Sequence, residues 1–155
     1  MTPDIVEGDL LLQKTEVIVN AWNRNIIPWW LLLPQGVSGA IKKRGGTVAF
    51  RELARLGPIE LGGARLTGPG RLPFKAIIHV AGINLFWMAT RKSIADSVKN
   101  AMALVKREGF ASVAFPLIGS GSGSRGKAFS QQVMLEAFSH IETTADVVIV
   151  RYKKG

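Results

Sequence analysis

Short apolar runs alternate along the chain with longer segments that carry apolar residues at helical spacing. Runs such as VIVN and SVAFP are apolar on both faces of a strand, which is typical of strands buried between two layers. The sequence predicts extended segments or strands at residues 4–7, 17–20, 64–67, 75–81, 112–116 and 145–152.

The segments between these strands include four with a helical pattern. In residues 93–107 the apolar side chains recur at a spacing that places them on one face of a helix. Gly45 and Gly46 predict the end of the first helix, and Thr47 is the predicted N-cap of the second. The predicted helices comprise residues 36–44, 48–56, 93–107 and 128–141.

The order of these elements predicts one α/β domain over residues 1–155. Strands that alternate with helices form a central sheet between helix layers, and strand–helix crossovers make that sheet mixed and mostly parallel. Ligands of such sheets bind beyond the carboxyl ends of the strands. The loops at residues 20–36, 82–89 and 117–127 follow those ends and are therefore the candidate binding loops.

Composition changes this picture in two ways. A formal net charge of +9 favours anionic ligands such as nucleotides or nucleic acids, with general solubility as the alternative explanation. The chain has no cysteine, which excludes disulfides and thiolate chemistry and fits a cytoplasmic location. The longest apolar stretch, at residues 26–34, is far shorter than the ~20 residues of a membrane-spanning helix, so no membrane partner is expected.

The two histidines show no spacing typical of a metal site. His79 lies in a predicted buried strand, where a hydrogen-bonded structural role is favoured over a functional one. His140 falls late in a predicted helix, where a surface position is expected. The sequence therefore predicts neither a bound metal nor a cofactor.

The strongest chemical signal is the glycine-rich loop at residues 119–126, within LIGSGSGSRG. Its glycines let the backbone approach an anion closely, and the helix that follows adds the positive end of its dipole. Ser120, Ser122 and Ser124 supply hydroxyl donors. A flexible linker is the alternative, but the buried strand and the helix that bracket the loop favour anion binding.

Two further signals follow the second strand. In VIVNAWN, Asn20 and Asn23 carry amides that both donate and accept, so they suit a ribose hydroxyl or a water molecule. A role in capping or turning the chain is the open alternative. The glycines of QGVSGAI begin the first predicted helix and offer a second set of N–H groups for a diphosphate.

Five motifs in this order resemble the macrodomain family. They are Gly8-Asp9-Leu10, VIVNAWN at residues 17–23, GVSGAI at 36–41, IIHVAG at 77–82 and AFPLIGSGSG at 114–123. Each motif is weak alone, but five in the right order over residues 8–152 are specific. The resemblance implies a three-layer α/β/α domain that binds ADP-ribose in a surface cleft.

The resemblance also implies roles for individual residues. Asp9 would accept a hydrogen bond from the adenine amine, and Tyr152 would place its ring against adenine unless it is an ordinary strand aromatic. Asn23 would meet the distal ribose and is the candidate catalytic residue. The diphosphate would be held by backbone N–H groups of the turn at Gly36 and Val37 and of the loop formed by Gly119, Ser120, Gly121, Ser122 and Gly123. Ser38, directly after that turn, is a further candidate ligand-binding residue.

Two departures from the family pattern affect the expected activity. Ser38 stands where hydrolytic members commonly carry an aspartate, and a serine hydroxyl is no carboxylate base near neutral pH. The segment at residues 25–33 is also unusual. Its Trp29 and Trp30 would stack on a base or ribose, or form a hydrophobic lid. Packing in the core or a dimer contact is the favoured alternative, because leucines follow directly.

Three functions remain open at this point. The first is hydrolysis of O-acetyl-ADP-ribose or of a mono-ADP-ribosyl linkage on a protein, with water positioned by Asn23. The second is binding of ADP-ribose without turnover. The third is binding of poly(ADP-ribose) or nucleic acid, which draws on the net charge but is less favoured because the basic residues are scattered along the sequence.

Overall fold

The computed structural model describes residues 1–23, 36–57, 59–83, 90–119 and 126–152, with only the backbone described at residues 22, 23, 36–39 and 83. The strands within these ranges are β1 (Asp4–Gly8), β2 (Val17–Asn23), β3 (Ala64–Thr67), β4 (Ala76–Ile83), β5 (Ser112–Pro116) and β6 (Asp146–Tyr152). The α-helices there are α1 (Gly36–Gly45), α2 (Val48–Leu56), α3 (Arg91–Glu108) and α4 (Lys127–Ser139). None of them has the length and apolarity that crossing a membrane requires.

The strands form one sheet in the order β1-β6-β5-β2-β4-β3. Every neighbouring pair is parallel except β3 and β4, so the prediction of a mixed, mostly parallel sheet is confirmed. Parallel neighbours require crossovers, and α3 and α4 supply them between β4, β5 and β6. The carboxyl ends of the five parallel strands consequently lie along one edge of the sheet.

Helices cover both faces of the sheet, which confirms the three-layer architecture. Successive strand residues point to opposite faces. In β2, Val17 and Val19 therefore belong to the apolar cluster beneath α3 and α4, whereas Ile18 belongs to the cluster beneath α1 and α2. All three side chains are fully buried, as the apolar VIVN run predicts.

The structure differs from the sequence-based predictions at two places. A 3-10 turn at Leu10–Leu12 was not predicted, because three leucines in a row give no helical periodicity. The predicted side-chain cap by Thr47 is wrong. Its helical ψ of 0° differs from the extended conformation that N-caps usually adopt, and its side chain makes no capping bond. Thr90, which is extended, forms a reciprocal capping box with Ser93 at the start of α3.

Candidate ligand-binding cleft

A crevice opens between β2 and β5 at the carboxyl edge of the sheet. β2 pairs with β5 only through its first two residues, Val17 and Ile18. Beyond them β2 pairs with β4 as far as Asn23, while β5 pairs with β6 as far as Pro116. β3 and β4 therefore lie on one side of β2, and β5 and β6, which follow them in the chain, lie on the other. A crevice at such a reversal of strand order is where α/β sheets bind ligands.

The glycine-rich loop is anchored at this crevice by two glycines with left-handed backbone. Gly119 has φ 81° and Gly126 has φ 85°, a region that other residues enter only with strain. Ser120, Gly121, Ser122, Gly123 and Ser124 lie outside the described residues. The loop therefore enters and leaves through conformations that favour glycine, as its sequence predicts.

The helix after this loop has no side-chain cap at its N-terminus. Gly126 occupies the N-cap position of α4 and offers no side-chain oxygen, so no side chain satisfies the first-turn N–H groups from that position. At α3, in contrast, the Thr90 hydroxyl accepts from the Ser93 N–H at 3.0 Å. Of these two helix N-termini, α4 is therefore the one better suited to an anion.

A close packing contact fixes the start of the loop. A Cβ atom on Gly82 would overlap the Ile118 Cγ2 methyl. Only glycine at this position of β4 therefore leaves room for the Ile118 side chain. The pairing of β2 with β4 skips Gly82, which makes a bulge there. The Ser93 hydroxyl donates to the Gly82 carbonyl at 2.9 Å, and the Ile118 N–H faces the Met134 Sδ at 3.4 Å. The residue before Gly119 is thus held by β4, α3 and α4 together.

Three buried polar side chains form a hydrogen-bonded chain from β2 across β4 to β3, on the side of β2 away from β5. The Asn20 amide nitrogen donates to His79 Nδ1 at 3.0 Å, so His79 Nε2 carries the proton and donates to the Thr67 hydroxyl at 2.8 Å. Thr67 in turn donates to the Gly68 carbonyl. Burial lowers the pKa of His79 to about 3, and the ring is neutral near pH 7. The expected structural role of His79 is confirmed, and Asn20 is fully buried with its amide nitrogen directed to it.

Asp9 lies at the opposite end of the carboxyl edge, directly after β1. Its Oδ1 accepts from the Leu11 N–H at 2.9 Å and its Oδ2 pairs with the Arg44 Nη2 at 2.7 Å. Tyr152 ends β6, and its register partner on β1 is Gly8, the residue before Asp9. Tyr152 is 65% exposed. The structure thus brings Asp9 and Tyr152 to adjacent strand ends.

The remaining predicted site residues are located by their backbone alone. Asn23 is the last residue of β2, beside the bulge in β4. Gly36, Val37 and Ser38 form the first turn of α1. Trp29 and Trp30 lie outside the described residues. Strands in a sheet are about 4.8 Å apart, so Asn23 and Asp9 are three strand spacings, on the order of 14 Å, from each other along the edge.

Comparison with known proteins shows the family to which this chain belongs. The family model described as Macro domain matches residues 19–134. A relative from Cronobacter sakazakii named O-acetyl-ADP-ribose deacetylase is 33% identical over 144 residues, which cover 88% of this chain and 76% of the relative. A relative from Aquifex aeolicus, described only as an uncharacterized protein, is 31% identical and covers 89% of this chain and 81% of its own length.

Solved structures agree with the sequence relatives. The Oceanobacillus iheyensis macrodomain with ADP superimposes with a TM-score of 0.82 at 27% identity, covering 97% of this chain and 83% of that one. A Trypanosoma brucei macrodomain in complex with ADP-ribose has a TM-score of 0.77 over 97% of this chain and 63% of its own, and its 20% identity supports the fold alone. This chain is a macrodomain.

The sequence did not point to every residue that shapes the cleft of this macrodomain. Arg44, Gly82 and Ile118 were not candidates. A glycine inside a strand pattern often marks a bulge or a close approach of another segment. The close contact at Gly82 could therefore have been predicted from the sequence. Arg44 carried no such signal, because its partner Asp9 is far away in sequence. Within the described ranges, no group of His, Asp and Glu side chains could hold a metal ion.

Proposed function

We propose that this macrodomain binds ADP-ribose, free or attached to a protein, along the carboxyl edge of its sheet. The observation that carries the proposal is the crevice between β2 and β5, where the uncapped N-terminus of α4 follows a glycine-rich loop. An anion held there would interact with backbone N–H groups and the helix dipole. A diphosphate is the group that best suits this place.

The positions of side chains along the carboxyl edge indicate where each end of the ligand would bind. Asp9 and Tyr152 lie together at the β1–β6 end, where an acceptor carboxylate and an exposed ring suit the amine and the face of adenine. Asn23 ends β2 on the far side of the crevice, where the distal ribose would lie. The relatives named O-acetyl-ADP-ribose deacetylase support a ligand of the ADP-ribose class.

We further propose that the domain hydrolyses an ester on the distal ribose. Water would add to the acyl carbon and the ribose hydroxyl would leave with a proton, which releases the carboxylic acid. Asn23 would position this water beside the diphosphate. Ser38 offers no carboxylate to act as a base, so we expect slow turnover whose rate depends on how the substrate is positioned.

Calorimetry with ADP-ribose tests the binding proposal. We expect saturable binding that Gly119→Ala weakens more than about tenfold, because a Cβ strains the left-handed backbone where the loop begins. Gly109→Ala is the matched control. Gly109 also has a left-handed φ, of 71°, but it follows α3 at the opposite edge of the sheet. Absence of heat with unmodified protein, or equal weakening by both substitutions, would contradict the proposal.

Acetate release from O-acetyl-ADP-ribose tests the hydrolysis proposal. We expect Asn23→Ala to lower the rate about 100-fold while ADP-ribose affinity changes less than about fivefold, because the residue acts on water more than on ligand binding. Equal, background-level release from both proteins, with ADP-ribose binding intact, would leave a binding module without turnover.

A further inference from the structure

Asp9 is held by two protein donors before any ligand arrives. The Leu11 N–H bonds to Oδ1 at 2.9 Å and the Arg44 guanidinium bonds to Oδ2 at 2.7 Å. The two bonds fix the orientation of the carboxylate and tie the start of the 3-10 turn to the last turn of α1. A carboxylate oriented in advance loses little conformational entropy when it binds a further group.

The carboxylate still has room for a ligand donor. Each of its oxygens can accept two hydrogen bonds, and the protein donors above take one on each. The Asp9 side chain is 21% exposed and the Arg44 side chain 46% exposed, so the pair faces solvent on one side. A planar base that carries an N–H group can therefore reach Asp9 without breaking the ion pair.

Covering Asp9 with a base has an electrostatic cost that Arg44 is placed to offset. A base laid over the carboxylate removes water from a charge that is already partly buried. The positive charge of Arg44 keeps that carboxylate paired as it loses water, whereas an unpaired charge would disfavour the complex.

We propose that Arg44 is a positioning residue for base recognition, which orients the Asp9 carboxylate and keeps it neutralised under the bound base. This inference rests on the proposed binding of ADP-ribose. Arg44 acts through Asp9 and not through the diphosphate, so its effect on affinity depends on the presence of the Asp9 carboxylate. General attraction of the anionic ligand by a cation predicts no such dependence.

A double-mutant cycle on ligand affinity separates these two explanations. The proteins are the unmodified chain, Asp9→Asn, Arg44→Gln and the double variant, each titrated with ADP-ribose in a calorimeter. We expect Arg44→Gln to weaken binding about fivefold in the unmodified chain and less than about twofold in the Asp9→Asn background. Lys43→Gln is the matched control: it removes one exposed positive charge from the same turn of α1, and we expect the same small factor in both backgrounds.

The cycle is repeated on the free energy of unfolding in urea, because the ion pair also ties two elements together. A purely structural tie predicts coupling in stability and none in affinity, and that result would overturn the inference. An equal loss of affinity in both backgrounds, or a gain of affinity in Arg44→Gln, would overturn it as well. If the unmodified chain does not bind ADP-ribose, the proposed function itself fails.

Discussion

The two ends of the carboxyl edge are built from different interactions. At the β2–β4 end, the start of the glycine-rich loop is held by buried packing between Gly82 and Ile118, and the fully buried ring of His79 lies on the other face of β4. At the β1–β6 end, the proposed base region consists of a partly exposed ion pair between Asp9 and Arg44 and the exposed ring of Tyr152.

This difference predicts how each end responds to change. Close packing tolerates no added volume and is insensitive to salt, because dispersion and burial do not depend on ionic strength. An exposed ion pair contributes only about 0–1 kcal/mol and is screened by salt. The β2–β4 end should therefore be rigid and intolerant of substitution, and the β1–β6 end adaptable.

The largest effect is expected from Gly82→Ala. The new methyl would overlap the Ile118 Cγ2, and overpacking of this kind costs about 1–3 kcal/mol. Since Ile118 precedes Gly119, the loop would also move, and we expect ADP-ribose affinity to fall more than about tenfold. Urea unfolding and calorimetry measure the two losses.

Ile118→Leu provides the control for this prediction, because leucine keeps the volume of isoleucine but has no Cγ2. The double variant Gly82→Ala with Ile118→Leu should be more stable than the sum of the single effects predicts, and it should recover part of the affinity. Additive losses in the double variant would show that the packing of Ile118 against residue 82 does not position the loop.

The sequence predicted the buried end of the cleft better than the exposed end. Apolar runs and glycines reflect the local conformation of the chain. The strands that precede the loops at Asn20 and Gly119 could therefore be identified before the fold was known. The last three residues of β2, up to Asn23, were not predicted as strand because their pairing depends on β4. The ion pair of Arg44 is likewise a product of tertiary structure, and no periodicity predicts it.

An intermediate effect is expected from pH at the β2–β4 end. Burial lowers the pKa of His79 from its ordinary 6.5 to about 3, so between these values the unfolded chain binds a proton that the folded chain does not. Stability from this group is complete above pH 6.5 and falls by about 1.4 kcal/mol per pH unit as the pH decreases towards 3.

His79→Gln removes the titrating ring but keeps a side chain that donates and accepts hydrogen bonds. The free energy of unfolding of this variant should decline less steeply than that of the unmodified chain between pH 6.5 and pH 5. Carboxylates titrate alike in both proteins, so the difference in slope isolates His79. Parallel pH profiles would mean that the histidine is not held neutral by burial.

The smallest effect, and the most direct test of the comparison, is the salt dependence of two stability losses. At low salt, Arg44→Gln should lower the free energy of unfolding by about 0.5 kcal/mol, and that loss should shrink towards zero in about 0.5 M NaCl as the ion pair is screened. The larger loss caused by Gly82→Ala should be unchanged, because a steric overlap is not screened. Urea unfolding of both variants at the two salt concentrations gives the four values. If the loss in Arg44→Gln is as insensitive to salt as the loss in Gly82→Ala, the guanidinium contributes by packing, and the two ends of the cleft differ less than their polarity suggests.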